Sequence, residues 1–154
     1  MASIVVNAGM HKLISGVTGE IDWVNDTLKA MLLDDTYTPD KDHDFADDIN
    51  GDEISPTGYT GGFGGAGRKS LANKSIAVQS SPTNRLKFDA DDITWSSIGG
   101  ASNATVKYLS IIKEITNDAA SPIVCIIEAT TQQTTNGSDL TWQFSADGVF
   151  RLSM

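Results

Sequence analysis

The chain has 154 residues, a formal net charge of −9 and a single cysteine. That length is enough for one domain that buries a core without disulfides or metals, and one cysteine excludes any disulfide within the chain. The acidic balance disfavours sequence-independent binding to DNA or RNA, which rests on Lys and Arg displacing counterions along phosphates.

Fourteen glycines and many Ser, Thr and Asn residues tilt an otherwise ordinary soluble composition towards turns and strands. The opening MASIVVNAGMHKLISG has a four-residue apolar patch with no charged segment before it, so no secretory signal is expected. No stretch nears the ~20 apolar residues of a membrane-spanning helix. The expectation is a soluble protein made in the cytosol. Residues 3–6 read as a short edge strand, and residues 7–16, with Met10, Leu13 and Ile14, allow one or two helical turns. Residues 1–16 form a candidate arm that orders on assembly. Residues 17–26, with Trp23, read as a turn and a short strand.

Residues 25–49 organise the rest, because an apolar run there leads directly into the most acidic segment. Residues 27–33 are short and apolar and end at Asp34, Asp35 and a Tyr-Thr-Pro, which suits a buried strand entering a long loop. Leu28, Met31 and Leu32 also fall at helical spacing, so the helical alternative stays open. Residues 34–53 hold nine carboxylates and one lysine, Lys41. Within them Phe45 and Ile49 lie four apart, as on one face of a short helix pinned to the core. Asp40, Asp42 and Asp44 alternate as calcium ligands do in an EF-hand loop. However, Phe45 stands where the sharp-turn glycine belongs and Gly51 where the closing glutamate belongs. A solvated loop is therefore the preferred reading, with those three aspartates kept as a weak calcium site and as interaction candidates.

Residues 58–67 are glycine-rich and formally contain G-x-G-x-x-G. That motif needs a buried strand before it and a helix N-terminus after it, so that a phosphate meets backbone and dipole together. Neither flank fits, and Arg68 stands where a phosphate-binding loop carries lysine. The segment reads as a flexible connection with Tyr59 and Phe63 exposed, and Arg68 and Lys69 as solvated surface. Residues 34–70 thus form one long acidic and glycine-rich loop region.

Residues 71–79 alternate as a strand, and Pro82 turns the chain. Leu86 and Phe88 then mark a half-buried strand, and Ile93, Trp95 and Ile98 resume the inward pattern. Residues 105–115 and 123–129 are the most apolar pair and are expected as antiparallel central neighbours. Cys125 lies in the second of these and reads as a small buried hydrophobe. Residues 130–138, TTQQTTNGS, read as a loop. Leu140, Trp142 and Phe144, the turn at 146–148 and residues 149–152 read as a closing hairpin. Together these elements predict a single all-β domain, an antiparallel β-sandwich or jelly-roll-like barrel with long loops and at most one or two short helices.

Three stretches carry a family resemblance: NDTLKAMLL with YTP behind it, DADDITWSS at residues 89–97, and LTWQFSADGVF at residues 140–150. In this order they resemble small virion proteins of tailed bacteriophages. The resemblance implies a structural role in the particle, as a decoration or cement protein on the outer capsid surface, with the tail or the head–tail junction as alternative locations. It implies the major capsid protein as partner and a homotrimer, a dimer remaining possible, with no reaction, no cofactor, no direct nucleic acid and no membrane. The glycine run at residues 58–67 departs from the family pattern.

Two competing classes fit the residues less well. An enzyme of the nucleophilic type needs a base, yet His11 and His43 sit beside no recognisable nucleophile. The clustered acids of one solvated loop would not split into the raised and ionised pair that glycoside cleavage requires. No catalytic residue is therefore expected. A glycan-binding β-sandwich would use Trp23, Trp95, Trp142, Tyr37, Tyr59 and Phe63 as stacking surfaces, although core packing accounts better for most of them.

Overall fold

The structure is a computed structural model that describes residues 3–5, 21–79 and 85–153. The helical turns expected at residues 7–16, His11 and the turn at Pro82 lie outside the described residues, as does most of the candidate arm. Among the described residues ten strands form three antiparallel sheets. They are β1 (Ser3–Val5), β2 (Leu28–Leu33), β3 (Lys69–Ser70), β4 (Ser75–Gln79) and β5 (Arg85–Asp89), followed by β6 (Ile93–Trp95), β7 (Thr105–Lys113), β8 (Ile123–Thr134), β9 (Leu140–Trp142) and β10 (Phe150–Ser153). The five-stranded sheet runs β1-β8-β7-β2-β3, the three-stranded sheet β10-β5-β4, and the third pairs β6 with β9. The fold is all-β and sandwich-like, and its sheets do not close into a barrel. The helical content of the described residues is three single 3-10 turns, Ala46–Asp48, Asn50–Asp52 and Asp118–Ala120.

The apolar run at residues 28–33 lacks strict alternation because β2 is covered on both faces. Leu28, Ala30 and Leu32 point into the main core with Trp23, Trp95 and Leu109. Met31 and Leu33 point the other way, into a second cluster with Tyr37, Ala46, Ile49 and Tyr108. A strand buried on both sides reads as continuous hydrophobicity, and this removes the helical alternative for Leu28, Met31 and Leu32. Its central place follows from its register: Leu28 faces Lys113 and Leu33 faces Tyr108 along β7, which in turn pairs with β8.

The acidic segment is a solvated loop pinned to the core: Asp35, Asp40, Asp42, Asp47 and Asp48 are exposed, and Tyr37, Ala46 and Ile49 are buried. Ala46 and Ile49, three apart, are the buried pair, because the local helix is 3-10 with three residues per turn; Phe45 is half-buried. Ala46 N donates to Ser121 O and Ile123 N to Asp44 O, both at 2.9 Å. Three of the carboxylates, Asp34, Asp40 and Asp48, accept hydrogen bonds within local turns. Asp48 Oδ2 accepts from Asp44 N and Phe45 N, and Asp34 Oδ1 accepts from Thr36 N and Tyr37 N.

Opposite the five-stranded sheet, Phe88 and Phe150 stack at 4.4 Å, and Trp23 meets both edge-on. Such ring pairs contribute roughly 0.5–1.5 kcal/mol each beyond the area they bury. Trp23 itself lies in a turn capped by Asp22, and the short strand expected around it does not form within residues 21–26.

Three further expectations are corrected. The strand expected at residues 71–79 is shortened to β4 at Ser75–Gln79: the chain leaves the five-stranded sheet after β3, and Asn73 at φ +47° turns it towards the three-stranded one. The loop expected at residues 130–138 is strand as far as Thr134, because β-branched threonines suit an extended chain and Thr105 and Val106 pair with Thr134 and Gln133. With residues 130–134 all exposed, no apolar period marked the strand. The closing hairpin keeps its turn, where Ser145 bridges Gly148, but its arms diverge. Trp142 pairs with Ile93 and Phe150 with Phe88, so each arm joins a different sheet whose apolar row it completes.

Candidate functional site

The densest electrostatic feature is a buried ion cluster around Arg68, whose side chain has no exposed area. Its guanidinium meets Glu53 through Nε and Nη2 at 3.0 and 2.8 Å, and Asp118 through Nη1 and Nη2 at 2.6 and 3.0 Å. Two carboxylates are thus gripped fork to fork, the geometry a planar guanidinium suits best. Glu114 stands 3.3 Å from Nη1 and takes Lys29 Nζ at 2.6 Å on its other oxygen. Burial alone would lower the Arg68 pKa, but hydrogen bonds and charge from Asp118 and Glu53 outweigh it and hold the guanidinium above its ordinary range. The same hydrogen bond holds Asp118 below the usual carboxylate value.

The glycine-rich segment wraps this cluster, which corrects its reading as a flexible connection. Gly62 N donates to Glu53 Oε2 at 2.8 Å and Gly64 N to Glu114 Oε1 at 3.2 Å. The loop's backbone amides do cradle anions, but the anions are the protein's own carboxylates. A Cβ on Gly61 would come within 2.8 Å of the Glu53 carboxyl, and one on Gly67 within 2.8 Å of the Tyr59 ring, so close approach explains both glycines. Gly67 O in turn accepts from Trp95 Nε1 at 2.6 Å.

Tyr59, expected on the surface, is 6% exposed. Its hydroxyl donates to Glu53 Oε1 at 2.9 Å and accepts from Leu32 N at 3.2 Å, joining the cluster to β2. Burial, then the Glu53 charge, raises its pKa well above the usual tyrosine value. Arg68, expected as solvated surface, is the centre of the cluster. Phe63 is 46% exposed, as expected. The structure thus separates the two aromatic interaction candidates, one into the scaffold and one to solvent.

Asp40 and Asp42 are exposed and Asp44 half-buried. Asp40 Oδ1 accepts from Asp42 N, a local turn bond. Among the described residues no group of three His, Cys, Asp or Glu side chains is placed to hold a metal ion. His43 Nδ1 lies 3.0 Å from the Tyr37 hydroxyl. Cys125 is fully buried, and burial pushes its thiol pKa up, as fits a small core hydrophobe. The three tryptophans are all buried, so the stacking surfaces proposed for a glycan reduce to Phe63.

Two surfaces remain open. Pairing across the three-stranded sheet aligns Ile76, Phe88 and Phe150 in one row and Val78, Leu86 and Leu152 in the next, all on one face. The first row ends in the core; the second runs off it. Ile76 is 46% and Val78 69% exposed on β4, which pairs with β5 alone among the described residues.

The second surface is a groove of 380 Å³ between the far half of β8 and β9, whose apolar lining includes Ala129 and Leu140. Neither surface was singled out from sequence. The alternation of SIAVQ carried the signal for the first; the threonine and glutamine run, read as a loop, concealed the second.

In class, this is an antiparallel all-β protein with a buried ion cluster, an open apolar sheet face and a polar groove. No helix among the described residues is long and apolar enough to cross a membrane. No protein-family model, curated protein or solved structure matches the chain.

Proposed function

We propose that this chain is a non-enzymatic structural protein of a tailed-bacteriophage particle, seated on the outer capsid surface as a decoration or cement subunit. The observation that carries the reading is the apolar sheet face ending in Ile76 and Val78 on the β4 edge. Isolated proteins protect their edge strands with charge, bulges or cover. An edge with two large apolar side chains on one face fits docking against a neighbouring subunit. The resemblance of the three sequence stretches to small virion proteins points to the major capsid protein as that neighbour. The net charge of −9 fits a subunit kept clear of packaged DNA.

In this reading the ion cluster and the aromatic core hold a stiff wedge, and the sheet face supplies the contact. Covering the remaining exposed parts of Ile76 and Val78, 46% and 69%, contributes roughly 1–2 kcal/mol each. Copies sit at local three-fold positions, and a trimer mass in sedimentation equilibrium is the expected solution state.

Cosedimentation with empty capsids lacking this protein tests the reading. The natural chain should pellet with the shells, and Val78→Lys with Ile76→Lys should weaken that at least about ten-fold, the equivalent of ~1.4 kcal/mol. Binding to isolated tails or portals but not to shells would move the protein to the tail or junction. Binding unaffected by the double substitution would remove β4 as the contact.

A further inference from the structure

We infer that the groove between β8 and β9 is a binding site for a neutral oligosaccharide. Its shape comes from an irregularity in the main sheet. Tyr108 faces Glu128 and Val106 faces Gln133, so Lys107 alone stands opposite residues 129–132 and β8 bulges away from β7. The chain then turns at residues 135–139 and returns as β9, which pairs with β6 alone among the described residues.

The back of this turn is fully tied to the scaffold. Thr135 N donates to Ala104 O and Thr135 Oγ1 accepts from Ala104 N, both at 2.9 Å. Gly137 N donates to Ile98 O at 2.8 Å, and Asp139 Oδ1 accepts from Ser97 N at 2.9 Å. The front is not tied. Thr130, Thr131, Gln133, Thr134 and Gln143 line the groove, and none of their side chains has a hydrogen-bond partner among the described residues. Trp142 is 6% exposed and lines the groove, and its buried Nε1 has no acceptor among the described residues. A rigid wall holding unengaged hydroxyls and amides over an apolar floor is a preorganised arrangement for a ligand.

The chemistry of the lining selects the ligand class. Hydroxyl and amide side chains both donate and accept, as the hydroxyls of a sugar do. Ala129 and Leu140, half-buried in the lining, offer apolar contact to the C–H face of a pyranose, to which Trp142, 6% exposed, adds little area. Asp139 is the one formally charged residue in the lining, and no Lys or Arg is present to neutralise a phosphate or an acidic sugar. The volume lies at the small end of the roughly 300–1,000 Å³ of small-molecule sites, which suits two or three linked rings. An added peptide strand fits less well, because the bulge at residues 129–132 breaks the even ladder of backbone groups that strand addition uses. The inference does not depend on a seat on the capsid; it adds a second surface, directed at glycans.

The test is ¹H–¹⁵N NMR of the full chain titrated with maltotriose, chitotriose and trigalacturonate, each to about 10 mM, ten times a ~1 mM dissociation constant. A neutral trisaccharide should shift amides of residues 130–143 and the Trp142 indole N–H, and trigalacturonate should not. Preference for chitotriose over maltotriose would identify an N-acetylated, cell-wall type of source; the reverse, a neutral glucan. Thr131→Val with Gln133→Ala, both at exposed positions, should weaken binding at least ten-fold while leaving the thermal midpoint in place. No shift in this region with either neutral sugar would overturn the proposal. So would stronger binding of trigalacturonate, unchanged affinity in the double variant, or displacement of the sugar signal by an extended Thr-Val repeat peptide.

Discussion

The cluster at Arg68 and the groove at β8 and β9 are both polar, yet they use polarity in opposite ways. In the cluster Glu53, Glu114 and Asp118 meet Arg68 and Lys29, and glycine amides donate to oxygens of Glu53 and Glu114 that Arg68 also holds. In the groove the uncharged side chains at the front have no partner among the described residues. Polar groups that satisfy one another inside a protein fix its shape, whereas groups held in place but left unmatched at a surface are available to a ligand. Charge density alone pointed to the acidic loop, whereas the state of the hydrogen bonds points to the groove.

The largest effect that would break this contrast is at the centre of the cluster. Arg68→Met leaves Glu53 and Asp118 buried without their cation and should cost about 3–5 kcal/mol in urea unfolding. A loss below ~1 kcal/mol would mean that those carboxylates reach water, as surface pairs do. Tyr59→Phe is a milder form of the same experiment. It removes the acceptor for Leu32 N and one donor to Glu53, and should cost about 1–3 kcal/mol by the same measurement.

The pH dependence follows from the same contacts. Asp118 binds its proton less readily when folded, because Arg68 holds its pKa below the ordinary 3.8. Its contribution is therefore complete above the ordinary carboxylate value and is lost as pH falls through the lowered one. Tyr37 has the opposite sign, since burial raises its pKa from 10.0 to about 12. Stability is complete below pH 10 and declines as pH rises towards 12. Thermal midpoints followed across the pH range should fall at both extremes, and Asp118→Asn should flatten the acid limb. The smallest effect belongs to the groove, where Thr131→Val with Gln133→Ala should move stability by no more than about 0.5 kcal/mol. A large loss there would make the groove part of the scaffold.

Much of the sheet was legible in the sequence. The central pair β7 and β8, the strands at Leu86 and Ile93, the edge strand at Ser3 and the burial of Cys125 all followed from apolar runs and turn residues. Less of the site was legible. Tyr59 and Arg68 sit among glycines in a polar stretch; the burial of Arg68 depends on Glu114 and Asp118, 46 and 50 residues away, and that of Tyr59 on Leu32, 27 residues away. The threonines at residues 130–134 form strand without an apolar period, because their partners lie across the sheet in β7.

By itself the sequence determined the all-β class, since alternating apolar residues, β-branched runs and frequent turn residues are local signals that act within a few positions. It also determined the inward tryptophans and the acidic character of residues 34–53. Only the tertiary structure decided which strand joins which sheet, that β9 and β10 part company, and that the glycine loop closes on an internal arginine. Strand pairing and burial of charge are set by residues far apart in the chain. Whether a polar side chain is matched or left open is known only once its neighbours are in place.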